Sequence, residues 1–124
     1  MRLKRKEFDR IVERSIHRIS DEIRTHLQNI LISVQDRPSP DLLDELGLGH
    51  DETLLGVYQG VSLPDRSALE PPLYPDTIIL FQEPLEDECD TLEELEEQIE
   101  ITVVHEIAHF VGMSEETLEE LGYG

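Results

Sequence analysis

Two histidines and a glutamate in the last quarter of the chain have the types and spacing of a metal site. His105 and His109 are four residues apart, and on a helix such side chains are neighbours with Cβ atoms roughly 5–6 Å apart. Two imidazoles placed in this way can bind one zinc ion. Glu106 lies about 100° further round the helix, where its carboxylate can reach a metal-bound water without being a ligand. The pattern predicts a zinc ion with a general base beside it; the alternative is a pair of ordinary surface histidines.

One long helix must present these three side chains. Thr91 and Glu94 have the spacing of a capping box at its start. Gly112 follows the last apolar residue and suits the left-handed turn that commonly ends a helix. These signals predict a helix from Leu92 to Val111.

The motif continues as H-E-x-x-H-x-x-G-x-x-E. With this pattern the chain resembles zincin metallopeptidases, and more closely the short bacterial zincin-like proteins called mini-zincins, over about residues 7–121. Metzincins have a similar glycine, which turns the chain so that a third ligand three residues later reaches the metal. The resemblance implies Glu115 as that ligand, although metzincins carry histidine there and a methionine turn for which this chain leaves no room. Glu116, Glu119 or a second water are the alternatives, because Ser114 is also a helix N-cap and an acid at Glu115 favours a first turn electrostatically.

The other elements follow from apolar periodicity and turn residues. These signals predict helices over residues 5–19, 21–27, 41–46 and 115–121, and strands over residues 30–34, 53–61 and 77–81. Residues 62–76 and the acidic segment 82–90 have no regular pattern. The expected architecture is a single α+β domain over residues 1–124. The resemblance makes it a minimal zincin-like fold: a small three-stranded mixed sheet packed against N-terminal helices and the zinc-binding helix, with the strands in the order first, third, second.

The strand over residues 53–61 contains two glycines and is the candidate for substrate binding. Leu55, Val57 and Val61 are expected on its core face, and Leu54, Gly56, Tyr58 and Gly60 on the other. Glycines in a strand permit close approach by another backbone. Gly56, Tyr58 and Gly60 are therefore predicted to receive an extended peptide at a sheet edge. An ordinary edge strand with bulges is the alternative.

The charge is strongly negative and unevenly distributed. The first 24 residues hold eight basic and five acidic residues, net +3, and the remainder holds two basic and 24 acidic residues, net −22, which together give −19. This acidic main part of the chain argues against nucleic acid as a partner and favours cations and basic peptides. We expect no membrane segment, a cytoplasmic location, and a monomer or weak homodimer. Cys89, the only cysteine, is expected as a free thiol in an acidic loop.

These features together predict a zinc-dependent metallopeptidase that acts on peptides or unfolded proteins. Zinc would lower the pKa of its bound water, and Glu106 would accept the proton as the water attacks a peptide carbonyl. A donor for the resulting oxyanion would be one of the phenols, Tyr58, Tyr74 or Tyr123. The alternative is a non-catalytic metal-binding scaffold that serves as a protein-interaction module.

Overall fold

The structure is a computed structural model that describes residues 1–49, 52–60 and 76–123. The other residues lie outside the described ranges, among them Val61, Tyr74 and nearly all of the irregular segment 62–76. The helices are α1 Arg5–Arg18, α2 Asp21–Arg24 continued by a 3-10 turn over Thr25–Leu27, α3 Pro40–Glu45, α4 Gln82–Asp87, α5 Leu92–Val111 and α6 Glu115–Glu120. The strands are β1 Ile30–Gln35, β2 Gly56–Gln59 and β3 Asp76–Phe81.

The three strands form one mixed sheet in the order β1-β3-β2. β1 runs parallel to β3, and β2 runs antiparallel to it. β3 is central and almost wholly buried, as its continuous apolar run predicts. The α+β class, the three-stranded mixed sheet and the strand order expected from the resemblance are confirmed.

The hydrophobic core lies between one face of this sheet and the helices α1 and α5. The sheet contributes Ile32 and Val34 of β1 beside Ile78 and Leu80 of β3. The helices contribute fully buried apolar residues, among them Phe8, Leu95, Ile99, Val103 and Ile107. The face of α5 opposite its exposed acids is therefore fixed against the sheet.

Leu55, just before β2, packs against the core as expected, but within Gly56–Gln59 the two faces are the reverse of the expected ones. Tyr58 pairs with Ile78 and Gly56 with Leu80, so both lie on the core side of the sheet. Val57 pairs with Ile79 on the opposite side. Apolar alternation favoured Val57 for the core, but a glycine lets β2 approach α5 more closely than a side chain would.

The acidic segment after β3 is also more ordered than its composition suggests. Residues Gln82–Asp87 form α4. Cys89 lies in the acidic loop that follows and is a free thiol, as expected, but its side chain is buried in the hydrophobic core. Burial, and next the charges of Glu94, Glu88 and Asp90, raise the pKa of the Cys89 thiol. The thiol is accordingly a small apolar core group.

The helix ends that flank the motif match their sequence signals. The Thr91 side chain accepts from the Glu94 N–H, and Gly112 ends α5 in the left-handed conformation with φ 73°. The Glu94 carboxylate accepts the Asp90 N–H at 2.8 Å. In a standard capping box it would accept the N–H of the N-cap residue, here Thr91, which is one residue later. Within the described ranges, no helix combines the length and apolar character needed to cross a membrane.

Candidate active site

The last two turns of α5 carry the residues of the metal motif. His105 and Glu106 are half-buried, and His109 is exposed. The helix begins and ends as the sequence predicts, so the two imidazoles lie one turn apart on a continuous helix. Two neutral imidazoles are a donor set that suits zinc and related transition metals.

The carboxylate of Glu106 contacts the edge strand. The amide N–H of Tyr58 donates to Glu106 Oε2 at 3.2 Å. Burial raises the pKa of Glu106, and the Tyr58 amide, His109 and His105 oppose that rise. A carboxylate in such surroundings is a stronger base than an exposed one and is held in place by the strand.

An aromatic stack joins β2 to α5 beside this carboxylate. The rings of Tyr58 and Phe110 are stacked with centroids 4.2 Å apart and an interplanar angle of 14°. Phe110 follows Glu106 by four residues, so the two share a helix face. Phe110 was not among the residues predicted from the sequence, although this spacing from the base was the signal available.

The two glycines named as substrate-binding residues flank Tyr58. A Cβ at Gly56 would lie 2.8 Å from Thr102 Cγ2 and 3.1 Å from the carbonyl oxygen of Ile79. The close approach at Gly56 is thus made with α5 and β3 of the same chain. Gly60 follows β2, and its contact with a substrate stays a prediction, as does that of Gly56 and of the Tyr58 backbone.

The candidate third ligand lies in the next helix. Gly112 turns the chain, the Ser114 side chain accepts from the Thr117 N–H, and α6 begins at Glu115. Glu115 and Glu116 are both exposed in the first turn of α6. No three His, Cys, Asp or Glu side chains of residues 1–49, 52–60 and 76–123 are grouped as one metal ion would require. The role of Glu115 therefore stays a prediction.

The C-terminal turn contacts the first histidine. His105 Nε2 lies 3.2 Å from the carbonyl oxygen of Tyr123, close enough for a hydrogen bond from the tautomer that carries its proton there. The Tyr123 hydroxyl donates to Glu100 Oε2 at 2.8 Å, and Arg18 of α1 is paired with the other oxygen of Glu100 at 3.0 Å. Burial, followed by the Glu100 carboxylate, raises the pKa of the Tyr123 phenol. The phenol is therefore committed to Glu100 and is not directed at the Glu106 carboxylate.

The residues of this site fit a metal ion in part. The imidazoles of His105 and His109 are on one helix with a carboxylate between them in sequence, which is the chemistry of a zinc-bound water and its base. The exposure of His109 leaves it accessible to an ion. In the part of the chain that the structure describes, no third potential ligand is grouped with this pair.

Comparison with known proteins gives a family and a fold. A family model described as zincin-like metallopeptidase matches residues 27–124. A solved structure of a conserved hypothetical protein from Thermus thermophilus is similar with a TM-score of 0.56 and 20% sequence identity, covering 94% of this chain and 98% of that one. At that identity the likeness concerns the fold alone. No curated protein matches.

Proposed function

Because the chain belongs to the family of zincin-like metallopeptidases, we propose that it is a zinc-dependent peptidase with Glu106 as general base and His105 and His109 as metal ligands. The proposed substrates are short or unfolded peptides. The third ligand is Glu115, which the glycine turn at Gly112 brings into the helix that follows the histidine pair.

One observation supports this proposal above the others. The Glu106 carboxylate is bound to the backbone of β2 at 3.2 Å, and β2 is an outer strand among the strands that the structure describes. An outer strand offers backbone donors and acceptors to an extended peptide. The candidate base and the candidate substrate-binding strand are therefore in direct contact.

The chemistry divides between the metal and the chain. A zinc ion on His105 and His109 would supply Lewis acidity and a water of lowered pKa. Glu106 accepts a proton on its carboxylate and can return it to the leaving amine. The outer strand β2 orients the peptide, and the Tyr58–Phe110 stack holds β2 against α5 beside Glu106. Positive peptides are favoured because the chain after residue 24 has a net charge of −22, from two basic and 24 acidic residues.

A second candidate function is a metal-binding scaffold that binds a partner protein without cleaving it. The observation that favours it is that, within residues 1–49, 52–60 and 76–123, no third His, Cys, Asp or Glu is grouped with the histidine pair. A catalytic zinc site has three protein ligands and an open position for water. The two functions differ in the consequence of replacing Glu106.

The deciding experiment measures metal content and peptide cleavage on the same preparations. The parent, Glu106→Gln and His109→Ala are dialysed after exposure to zinc, analysed by plasma mass spectrometry, and incubated with a mixed peptide library read by mass spectrometry. We expect about one zinc ion per chain in the parent and Glu106→Gln and a loss in His109→Ala. Cleavage should fall by about 10²–10⁴-fold in Glu106→Gln. Cleavage that survives in Glu106→Gln, or zinc-loaded parent that cleaves nothing, would overturn the peptidase proposal.

Three matched variants test the third ligand. Glu115→Gln, Glu116→Gln and Glu119→Gln each replace one glutamate of α6 by its uncharged amide. The loss of one negative charge, and any general electrostatic effect of it, is therefore common to all three. We expect only Glu115→Gln to weaken zinc binding by more than about tenfold in competition with a chromogenic chelator. Equal weakening in all three would contradict a specific role for Glu115 and indicate long-range attraction.

A further inference from the structure

The hydrogen-bond alternation of β2 shows which of its backbone groups are directed away from the sheet. The Phe81 N–H donates to the Leu55 carbonyl oxygen at 3.0 Å, so this residue pair is a hydrogen-bonded pair of the antiparallel ladder. The register continues with Val57 opposite Ile79, two residues further along. The backbone groups of Gly56 and Tyr58, which alternate with them, are therefore directed toward the outer edge.

The Glu106 carboxylate accepts the hydrogen bond of the outward-directed Tyr58 N–H. Its Oε2 accepts the Tyr58 N–H at 3.2 Å, and the Tyr58–Phe110 stack fixes the strand over the same helix face. Among residues 1–49, 52–60 and 76–123, no strand pairs with the outer side of β2. The contact made there by Glu106 takes the position of a neighbouring strand's carbonyl oxygen.

We propose that the Tyr58 N–H is a positioning group with two successive acceptors. In the peptide-free protein it donates to Glu106 and holds that carboxylate in place, and when a peptide binds it donates to a carbonyl oxygen of the peptide instead. This inference rests on the proposed function. A peptide added to β2 as a further strand uses the outward N–H groups of the edge, and one amide hydrogen makes one strong bond. Peptide binding therefore displaces the carboxylate, which is then free to accept a proton from the attacking water.

The arrangement links the availability of the base to the presence of a substrate. In the free protein Glu106 is satisfied by the strand and is directed at β2. With a peptide on the strand, Glu106 Oε2 has lost the Tyr58 N–H as its donor and turns to the nearest remaining hydrogen-bond donor. The exchange involves no loss of a β2–β3 bond, because the Tyr58 N–H is not part of that ladder.

Two substitutions at Tyr58 separate the amide hydrogen from the side chain. Tyr58→Ala and Tyr58→Pro both remove the stack with Phe110, but only the proline removes the N–H. Proline is tolerated on an edge strand where the N–H is directed away from the sheet. Glu106→Ala removes the competing acceptor, and Glu106→Gln is its control because an amide oxygen still accepts a hydrogen bond.

The experiment has a readout that requires no catalysis. In ¹⁵N-labelled parent, Glu106→Gln and Glu106→Ala, the exchange rate of the Tyr58 amide is measured by NMR. In zinc-loaded preparations of all variants, the affinity for a fluorescein-labelled pool of short lysine-flanked peptides is measured by polarisation. We expect Tyr58 exchange to accelerate in Glu106→Ala and to stay close to the parent rate in Glu106→Gln.

The affinities should move in opposite directions. Glu106→Ala should bind the peptide pool about threefold to tenfold more tightly than the parent, and Tyr58→Pro about threefold to tenfold more weakly than Tyr58→Ala. A purely structural role would weaken binding in every variant. Peptides that are bound and cleaved by the parent but bound equally by Glu106→Ala would overturn this inference and leave the peptidase function standing. Accelerated Tyr58 exchange with no peptide bound by any variant would overturn the peptidase function and the exchange of partners, while the Glu106–Tyr58 bond would stand.

Discussion

Gly56 is the residue at which β2 and α5 come closest. A Cβ added at this glycine would lie too close to the Thr102 methyl group on one side and to the backbone of β3 on the other. Thr102 is itself buried, and its hydroxyl donates to the Gln98 carbonyl oxygen at 2.8 Å. Since Glu106 lies one turn further along α5, the spacing set at Gly56 also determines whether the carboxylate can reach the Tyr58 amide.

Gly56→Ala is expected to lower the free energy of unfolding by about 1–3 kcal/mol, because the new methyl group overpacks this contact. The measurement is urea unfolding of the metal-free protein. Thr102→Ser removes the Cγ2 atom but keeps the hydroxyl, so the double variant should recover part of the loss, with a coupling of about 0.5–3 kcal/mol. Strictly additive effects would mean that the strand shifts away from α5 and that Thr102 is not the obstacle.

Part of this site could be predicted from single residues and part could not. The spacing of His105, Glu106 and His109 is local, so the sequence was sufficient to place them on one helix. The contact of Glu106 with Tyr58 joins residues 48 positions apart and uses a backbone N–H, a group that every residue except proline possesses. A donor of this kind leaves no signature in side-chain type, and only the packing of β2 on α5 reveals it.

The same division holds for whole elements. α5 was predicted with its observed ends because its cap, its length and its terminal glycine are all local signals. α4 was not predicted, since its N-cap, Phe81, makes no side-chain cap bond. It is stabilised instead from a distance: Glu86 accepts the Leu3 N–H at 2.9 Å, and Gln82 donates to the Leu3 carbonyl oxygen at 2.9 Å. Tertiary contacts of this kind outweigh weak local preference.

The N-caps of α5 and α6 provide a matched test of whether α6 belongs to the metal site. Ser114→Ala and Thr91→Ala each remove one side-chain acceptor from a helix start, the bonds being 3.1 Å in both. Each should cost about 0.5–2 kcal/mol of stability in urea unfolding. Only Ser114→Ala should also weaken zinc binding, because it loosens the helix that carries Glu115. If Thr91→Ala weakens zinc binding equally, affinity follows global stability and α6 has no special part.

At the scale of the whole molecule, the distribution of charge opposes compactness more than the ion pairs support it. The chain of 124 residues has a formal net charge of −19, and self-repulsion of this size destabilises a folded state. The basic N-terminal segment offsets some of it through Arg2 with Glu83, Arg5 with Asp36 and Arg18 with Glu96. These three pairs lie at the surface, where such pairs contribute about 0–1 kcal/mol each. Arg2 and Arg18 also pair with the buried carboxylates of Glu86 and Glu100.

Added salt is therefore expected to stabilise the metal-free protein. The Debye length falls from about 30 Å at 0.01 M to about 8 Å at 0.15 M, so repulsion across the molecule is screened more than pairs in direct contact. We expect the Tm, measured by circular dichroism with a chelator present, to rise by several degrees, equivalent to about 1 kcal/mol. Choline chloride should act like sodium chloride, because screening depends on ionic strength. A Tm that falls with salt would show that the contacts of the N-terminal arginines outweigh the repulsion; a rise confined to sodium chloride would indicate a bound cation.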